Sequence, residues 1–221
     1  MNESFLIPRL AENRDWAIAI FLGCFALIAL TRSLFEVRFA EFSKLGISDK
    51  YIKVYRDNGN LMSWFNVSLF VLHLTSLSFF IQLAFYNFGL ASKGDWLLFI
   101  RIFGLLGVFI LCKYLIEKII AASFNIDEFV EQFNLQKVSY RTYIGLLLLP
   151  IDIILYFSSG TSKNVVLFTI AAILIINVLT YAISLRNYQN ILLGKLFYFI
   201  LYLCALEIAP YYFMYYWFTK S

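Results

Sequence analysis

Long apolar runs recur along this chain, each closed by a charged residue, and none alternates polar with apolar positions. A helix rising 1.5 Å per residue needs about 20 apolar residues to cross the ~30 Å hydrocarbon core of a bilayer. Six runs are candidates: residues 16–31, 61–86, 96–117, 142–160, 164–185 and 196–218. The first is short, with 16 residues between Asp15 and Arg32, and the third fades near Lys113 to Lys118. An open sheet would leave backbone groups unpaired in lipid, and barrel strands would show alternation, so the runs are helices. The pattern therefore predicts an all-α fold: a polytopic membrane helical bundle of about six transmembrane helices, forming one domain over residues 1–221.

Two further segments carry helical periodicity outside these runs. Leu34, Phe35, Phe39, Phe42 and Leu45 fall within about 140° of arc at 100° per residue. Arg38 intrudes on that face, where its long stem can snorkel toward headgroups. Arg32 to Asp57 holds six Lys/Arg against four Asp/Glu. Two readings stand side by side: an amphipathic helix lying beside anionic lipid, or an extension of the first helix packed on its neighbours. Ile126, Phe129, Val130 and Phe133 form a second stripe, opened by a capping-box-like Asn125 and Glu128. Asp127, Glu128 and Glu131 line its opposite face, which reads as solvated. Both segments are expected to be cytoplasmic interfacial helices.

Composition agrees. The chain has 221 residues, 62% hydrophobic and 14% charged, against about 25% charged in soluble domains. Three Cys and one His supply neither a zinc site of the usual spacing nor a disulfide framework. No metal or cofactor is expected. The net charge of +4 is spread along the chain, so no nucleic-acid partner is indicated.

Lys and Arg set the expected orientation. One side receives Arg9, Arg14, Lys93, Lys163 and Lys220. The other receives twelve basic residues, Arg32 to Arg56, Lys113, Lys118, Lys137, Arg141, Arg186 and Lys195, and is therefore expected to be cytoplasmic. Both termini then face outward. The first run also resembles a signal peptide with Arg9 and Arg14 before it, but no A-x-A site follows its end at Ala29-Leu30-Thr31-Arg32, so it is read as retained.

Ionisable residues at membrane depth are costly and are the first functional candidates. Four stand out: His73, Arg101, Asp152 and Glu207. Counted from the cytoplasmic run ends, His73, Asp152 and Glu207 all lie roughly 17 Å deep; Arg101 sits nearer the outer interface. Proline accompanies both acids, as Pro150-Ile-Asp152 and Glu207-Ile-Ala-Pro210. A helix-breaking proline beside a carboxylate is how transporters build midplane ion sites. The structural alternative makes each acid a partner of neighbouring Ser, Thr, Asn or Gln, with Asn66, Ser68, Thr75, Ser76, Ser78, Gln82, Thr169, Asn177 and Thr180 as interhelical glue. The structural alternative is preferred, because buried acids also serve packing.

Other patterns say less. Gly104-Leu-Leu-Gly107 lacks the spacing of the helix-dimer motif. Cys24, Cys112 and Cys204 read as small apolar residues. Tyr211, Tyr212, Tyr215, Tyr216 and Trp217 read as an interfacial aromatic belt.

The stretch from Phe197 to Pro210, with its Leu-Cys-Ala-Leu-Glu-Ile-Ala-Pro run, resembles the closing motif of a Bacteroidota inner-membrane family catalogued as domain of unknown function number 4271. Leu148-Leu-Pro-Ile-Asp152 and Tyr188-Gln-Asn are similar as well. The resemblance carries over Glu207 and Pro210 as motif residues. It implies a bacterial inner membrane and a Bacteroidota envelope but no activity, and the Lys/Arg count makes the expected C-terminus of this multi-pass chain periplasmic. The expected function is a non-enzymatic subunit or accessory of an envelope complex, such as one for protein secretion, with the bilayer and other membrane proteins as partners. A small proton- or ion-coupled transporter using Asp152 and Glu207 is the alternative, and a membrane enzyme acting on lipids the second.

Overall fold

A computed structural model of the protein describes residues 15–48, 50–55, 63–123, 127–158 and 163–194. These residues form seven helices: α1 (Asp15–Leu34), α2 (Glu36–Ser43), α3 (Lys50–Tyr55), α4 (Trp64–Asn87), α5 (Trp96–Ser123), α6 (Asp127–Phe157) and α7 (Lys163–Gly194). Five are long and apolar enough to cross a membrane: α1, α4, α5, α6 from Val130, and α7 to Thr180. The expected sixth span, 196–218, lies outside the described residues.

Local chemistry fixes the helix ends. Ser63 Oγ accepts from the Asn66 N–H at the start of α4, satisfying one of the orphan donors. At the other end Gly89 takes φ +77°, Leu90 N donates to Phe85 O, and Gly89 N to Tyr86 O. That pair of bonds is the Schellman ending, which asks for a residue without a Cβ. Asp95 Oδ1 accepts from Leu98 N to open α5.

The centre of the molecule is a pair of helices, α4 and α6, that run in the same direction with α5 returning between them in the chain. Their parallel course shows in the packing order. Phe65, Leu69 and Leu72 pack with Tyr140 and Leu149 in one cluster, which also takes in Cys24, Phe42 and Tyr51. Phe79, Phe80 and Leu83 pack with Leu148, Leu155 and Tyr156 in the other, with Ala17, Phe21 and Phe99. Aromatic rings anchor both. Phe79 lies 4.4 Å from Phe21 and 4.4 Å from Phe99 between ring centroids, and 5.8 Å from Tyr156. Phe42 lies 5.5 to 5.9 Å from Tyr51, Phe65 and Tyr143. In contrast, α5 and α7 keep most of their apolar surface outward.

Two sequence expectations change. The stripe at 126–133 is not a separate interfacial helix: its described part belongs to α6, which runs unbroken for 31 residues. The span expected at 142–160 starts much earlier because nothing in Asn134–Arg141 breaks a helix and the charge at Lys137 is neutralised by Glu117 of α5, 3.2 Å away. The same pair lets α5 continue past 117 to Ser123. Pro150 likewise does not break its helix; it sits exposed within α6, removing one backbone donor without ending the ladder.

The stripe before α4 resolves in favour of packing. A single residue, Phe35, separates α1 from α2, and the backbone bonds Phe35 N to Thr31 O and Phe39 N to Phe35 O nearly continue the helix. Phe42 and Leu45 are buried, and Phe35 and Phe39 pack against the same cluster. Arg38 does not snorkel outward. It donates to Asn66 Oδ1 at 3.2 Å and to Tyr51 Oη at 3.4 Å, with its guanidinium 4.7 Å over Phe65 and 4.8 Å over Tyr55. Such stacking on aromatic faces is a favoured guanidinium environment.

The α4/α6 pair has no room to spare at its middle. A Cβ added to Gly145 would lie 2.8 Å from the His73 Cα and 2.9 Å from its Cβ. Gly145→Ala should therefore push the helices apart and destabilise the fold by about 1–3 kcal/mol, read by thermal unfolding in mild detergent. His73→Ala should not rescue it, since backbone is among the atoms met; full rescue would disprove the close approach.

Candidate functional site

Between the two aromatic clusters lies a polar storey. Ser76 stands at the midpoint of α4, and its Oγ donates to Asp152 Oδ2 of α6 at 2.6 Å. Asp152 is fully buried. His73, one turn earlier on α4, lies flat against the bare backbone of Gly145. Among the described residues, Asp152 Oδ1 and His73 Nδ1 have no hydrogen-bond partner. Two of the four sequence candidates, His73 and Asp152, thus lie along the α4/α6 interface, His73 against Gly145 and Asp152 bonded to Ser76. Ser76 is the side chain that links the helices there. Thr75 and Ser78 bond back to Val71 O and Leu74 O of their own helix, as do Thr169 and Asn177 to Val165 O and Ile173 O, so these are not interhelical glue through those bonds.

The other candidates fall apart from this storey. Arg101 is exposed on α5. Glu207 and Pro210 lie outside the described residues, as does Cys204. Cys24 is buried and Cys112 exposed, both as free thiols. Among the described residues no three His, Cys, Asp or Glu side chains converge to hold a metal.

A cation that the sequence assigned to a loop turns out to be internal. Lys93 is 3% exposed, and its Nζ donates to Leu155 O and Ser158 O, 2.9 Å each, at the C-terminus of α6. Tyr86 and Tyr156 present their ring faces to it at 5.4 and 5.7 Å. Leu155 is one turn beyond Asp152 on α6, so the ammonium group lies inside the bundle close to the buried carboxylate's level along that helix. It gets there because the α4–α5 connection folds back into the bundle. Gln82 Nε2 donates to Asp95 O at 2.8 Å, and Trp16 Nε1 to Gly94 O at 3.2 Å. A positive charge over the last carbonyls of a helix also suits its dipole. The signal for this role is weak in sequence: a single Lys between Gly89 and Asp95.

The opposite end of the α4/α6 pair is polar as well. Asn134, Gln136, Lys137, Ser139 and Thr142 are all buried on α6, and Lys137 pairs with Glu117, their side chains 8% and 4% exposed. Farther out, the exposed Lys50 beside Glu41 at 2.7 Å holds that carboxyl below the usual carboxylate range. The Tyr51 phenol is pushed up, chiefly by burial, against the opposing effect of Arg38.

The family model described as "Domain of unknown function (DUF4271)" matches residues 17–218. The chain belongs to the DUF4271 family. The matched stretch includes α1, the storey residues His73, Ser76, Gly145 and Asp152, and Lys93. No curated protein and no solved structure matches the chain. In this DUF4271 protein, then, the functional reading rests on the site itself.

The buried pair gives a direct test. Lys137→Met should leave Glu117 buried without its cation and cost about 3–5 kcal/mol. The double variant Glu117→Leu/Lys137→Met should recover most of that loss, because both charges leave together. Denaturant or thermal unfolding in detergent measures both. A double variant as unstable as the single one would contradict a buried ion pair.

Proposed function

We propose that the protein is a non-enzymatic integral subunit or accessory of an assembly in a bacterial inner membrane. The observation that carries this reading is the bond from Ser76 to Asp152. Among the described residues, the fully buried carboxylate of Asp152 is engaged in holding two helices together and lies between two aromatic clusters. A transport site needs its carboxylate free to exchange a proton or ion with both sides. The storey, the Lys93 cap and the Glu117–Lys137 pair instead act as fasteners along one stiff α4/α6 spine. Around it, α5 and α7 expose long apolar faces of the kind that lipid or partner helices cover. The twelve-charge side, carrying α2 and α3, is assigned to the cytoplasm by the positive-inside rule, which puts Lys93 toward the periplasm and the C-terminus with it.

Purification in mild detergent tests this. The protein should co-elute with other membrane proteins in a fixed ratio that survives dilution. A lone, monodisperse 25.8 kDa species would overturn the subunit reading.

One observation favours a proton- or ion-coupled transporter as the second reading: Asp152 Oδ1 and His73 Nδ1 lack partners among the described residues. Asp152→Asn separates the two, since its amide oxygen still accepts from Ser76. A fastener predicts unchanged abundance and unchanged cellular function for Asp152→Asn, while Asp152→Leu loses about 1 kcal/mol of helix pairing. Loss of function by Asp152→Asn at normal abundance would establish the transport reading instead.

A further inference from the structure

The segment joining α2 to α3 presents a surface that the bundle does not use. Leu45 points into the core and Gly46 sits against the Tyr143 ring, where a Cβ would lie 2.8 Å from the phenol oxygen. The turn is tied by Leu45 N to Phe42 O, and by Ile47 N and Ser48 N to Lys44 O. Pinned this way, it holds Ile47 outward at 95% exposure. Val37 on α2 is 74% exposed, and Leu34 and Val54 are also turned out. Exposed basic residues surround them: Arg32, Lys44, Lys50 and Lys53. Of the described acids in this stretch, Glu36 is exposed and Glu41 is taken up by Lys50.

Depth decides what such a surface meets. Phe42 packs against Phe65 at 5.8 Å between ring centroids, and Phe65 precedes Ser76 at the α4 midpoint by eleven residues, about 16 Å at 1.5 Å per residue. The storey is level with the midpoint of α4, and half the hydrocarbon thickness is about 15 Å. The Gly46 turn therefore stands at the boundary between acyl chains and headgroups. An apolar tip with lysines on both sides at that depth matches the pattern of interfacial anchors, apolar side chains entering the acyl boundary while basic ones meet phosphates. The Phe stripe that reads as lipid-facing from sequence is turned inward, and the opposite edge of the same segment faces out.

We infer that the α2–α3 turn is a fixed binding surface for anionic phospholipid headgroups, with Ile47 inserted among the acyl chains and Lys44 and Lys53 on the phosphates. The partner is a feature of the bilayer around the protein, and the rigid Gly46 seat sets its depth.

The full chain reconstituted in vesicles tests both halves. In 3:1 phosphatidylcholine:phosphatidylglycerol, a nitroxide on Ile47→Cys, made with the native cysteines replaced, should meet oxygen more readily than a water-soluble nickel chelate. A label that meets the chelate as freely as one in bulk water would overturn the insertion. Ile47→Trp, with the native cysteines kept, gives a second reading: brominated acyl chains should quench the added fluorescence, and absence of quenching would count against insertion. For the headgroups, the parent in detergent should gain more thermal stability from phosphatidylglycerol than from phosphatidylcholine. Lys44→Gln/Lys53→Gln should weaken the apparent phosphatidylglycerol affinity roughly tenfold and leave the phosphatidylcholine response unchanged. An unaltered preference in that variant would remove the lysines from the proposal.

Discussion

Two parallel helices packed without side-chain bulk at their crossing organise this molecule. Because α4 and α6 are consecutive neighbours in space but not in sequence, their register cannot be set by a short turn. It is set by contact: glycine at 145 admits the His73 backbone, and seven residues on, Asp152 receives the Ser76 hydroxyl. In lipid there is little hydrophobic force between helices, so close backbone approach and polar contacts carry more of the association. Everything else attaches to this pair. Phe21 and Phe99 bring α1 and α5 against Phe79, and Phe42 brings α2 against Phe65 and Tyr143.

The buried charges follow the same logic. Among the described residues, Lys93 is matched by carbonyls at the end of α6 and Lys137 by Glu117, and the half-buried Arg38 by Asn66 and two ring faces. Breaking up a matched set is costly in a medium that solvates charge poorly. The arrangement therefore specifies which helix lies beside which, more than it adds net stability.

How much of this the sequence discloses depends on the kind of signal. The spans α1, α4 and α5 are legible from apolar runs, because composition over twenty residues averages out single exceptions. The placing of His73 and Asp152 within long apolar helices is legible for the same reason. Span ends marked by charge are less so. Lys113 to Lys118 and Arg141 read as boundaries, yet α5 and α6 run past them, since a cation and an anion on different helices cancel in a way no single segment displays. The aromatic stripe at 34–45 shows that two faces differ but not which one turns inward; Arg38 intrudes on the stripe under either reading, and its aromatic enclosure is visible only when α3 and α4 are in place. Lys93 had no readable signal, since its partners are backbone carbonyls, to which any residue contributes equally.

The position of Lys93 bears on the order in which the chain assembles. Its partners Leu155 O and Ser158 O lie 62 and 65 residues downstream, beyond the whole of α5 and nearly all of α6. While the chain is being made, the connection after α4 can already accept from Trp16 and Gln82 behind it, but the Lys93 ammonium lacks its carbonyl acceptors. It gains them once α6 lies beside α4 and presents its last carbonyls. Burial of the Lys93 ammonium in a loop two helices earlier therefore depends on completion of the fourth long helix.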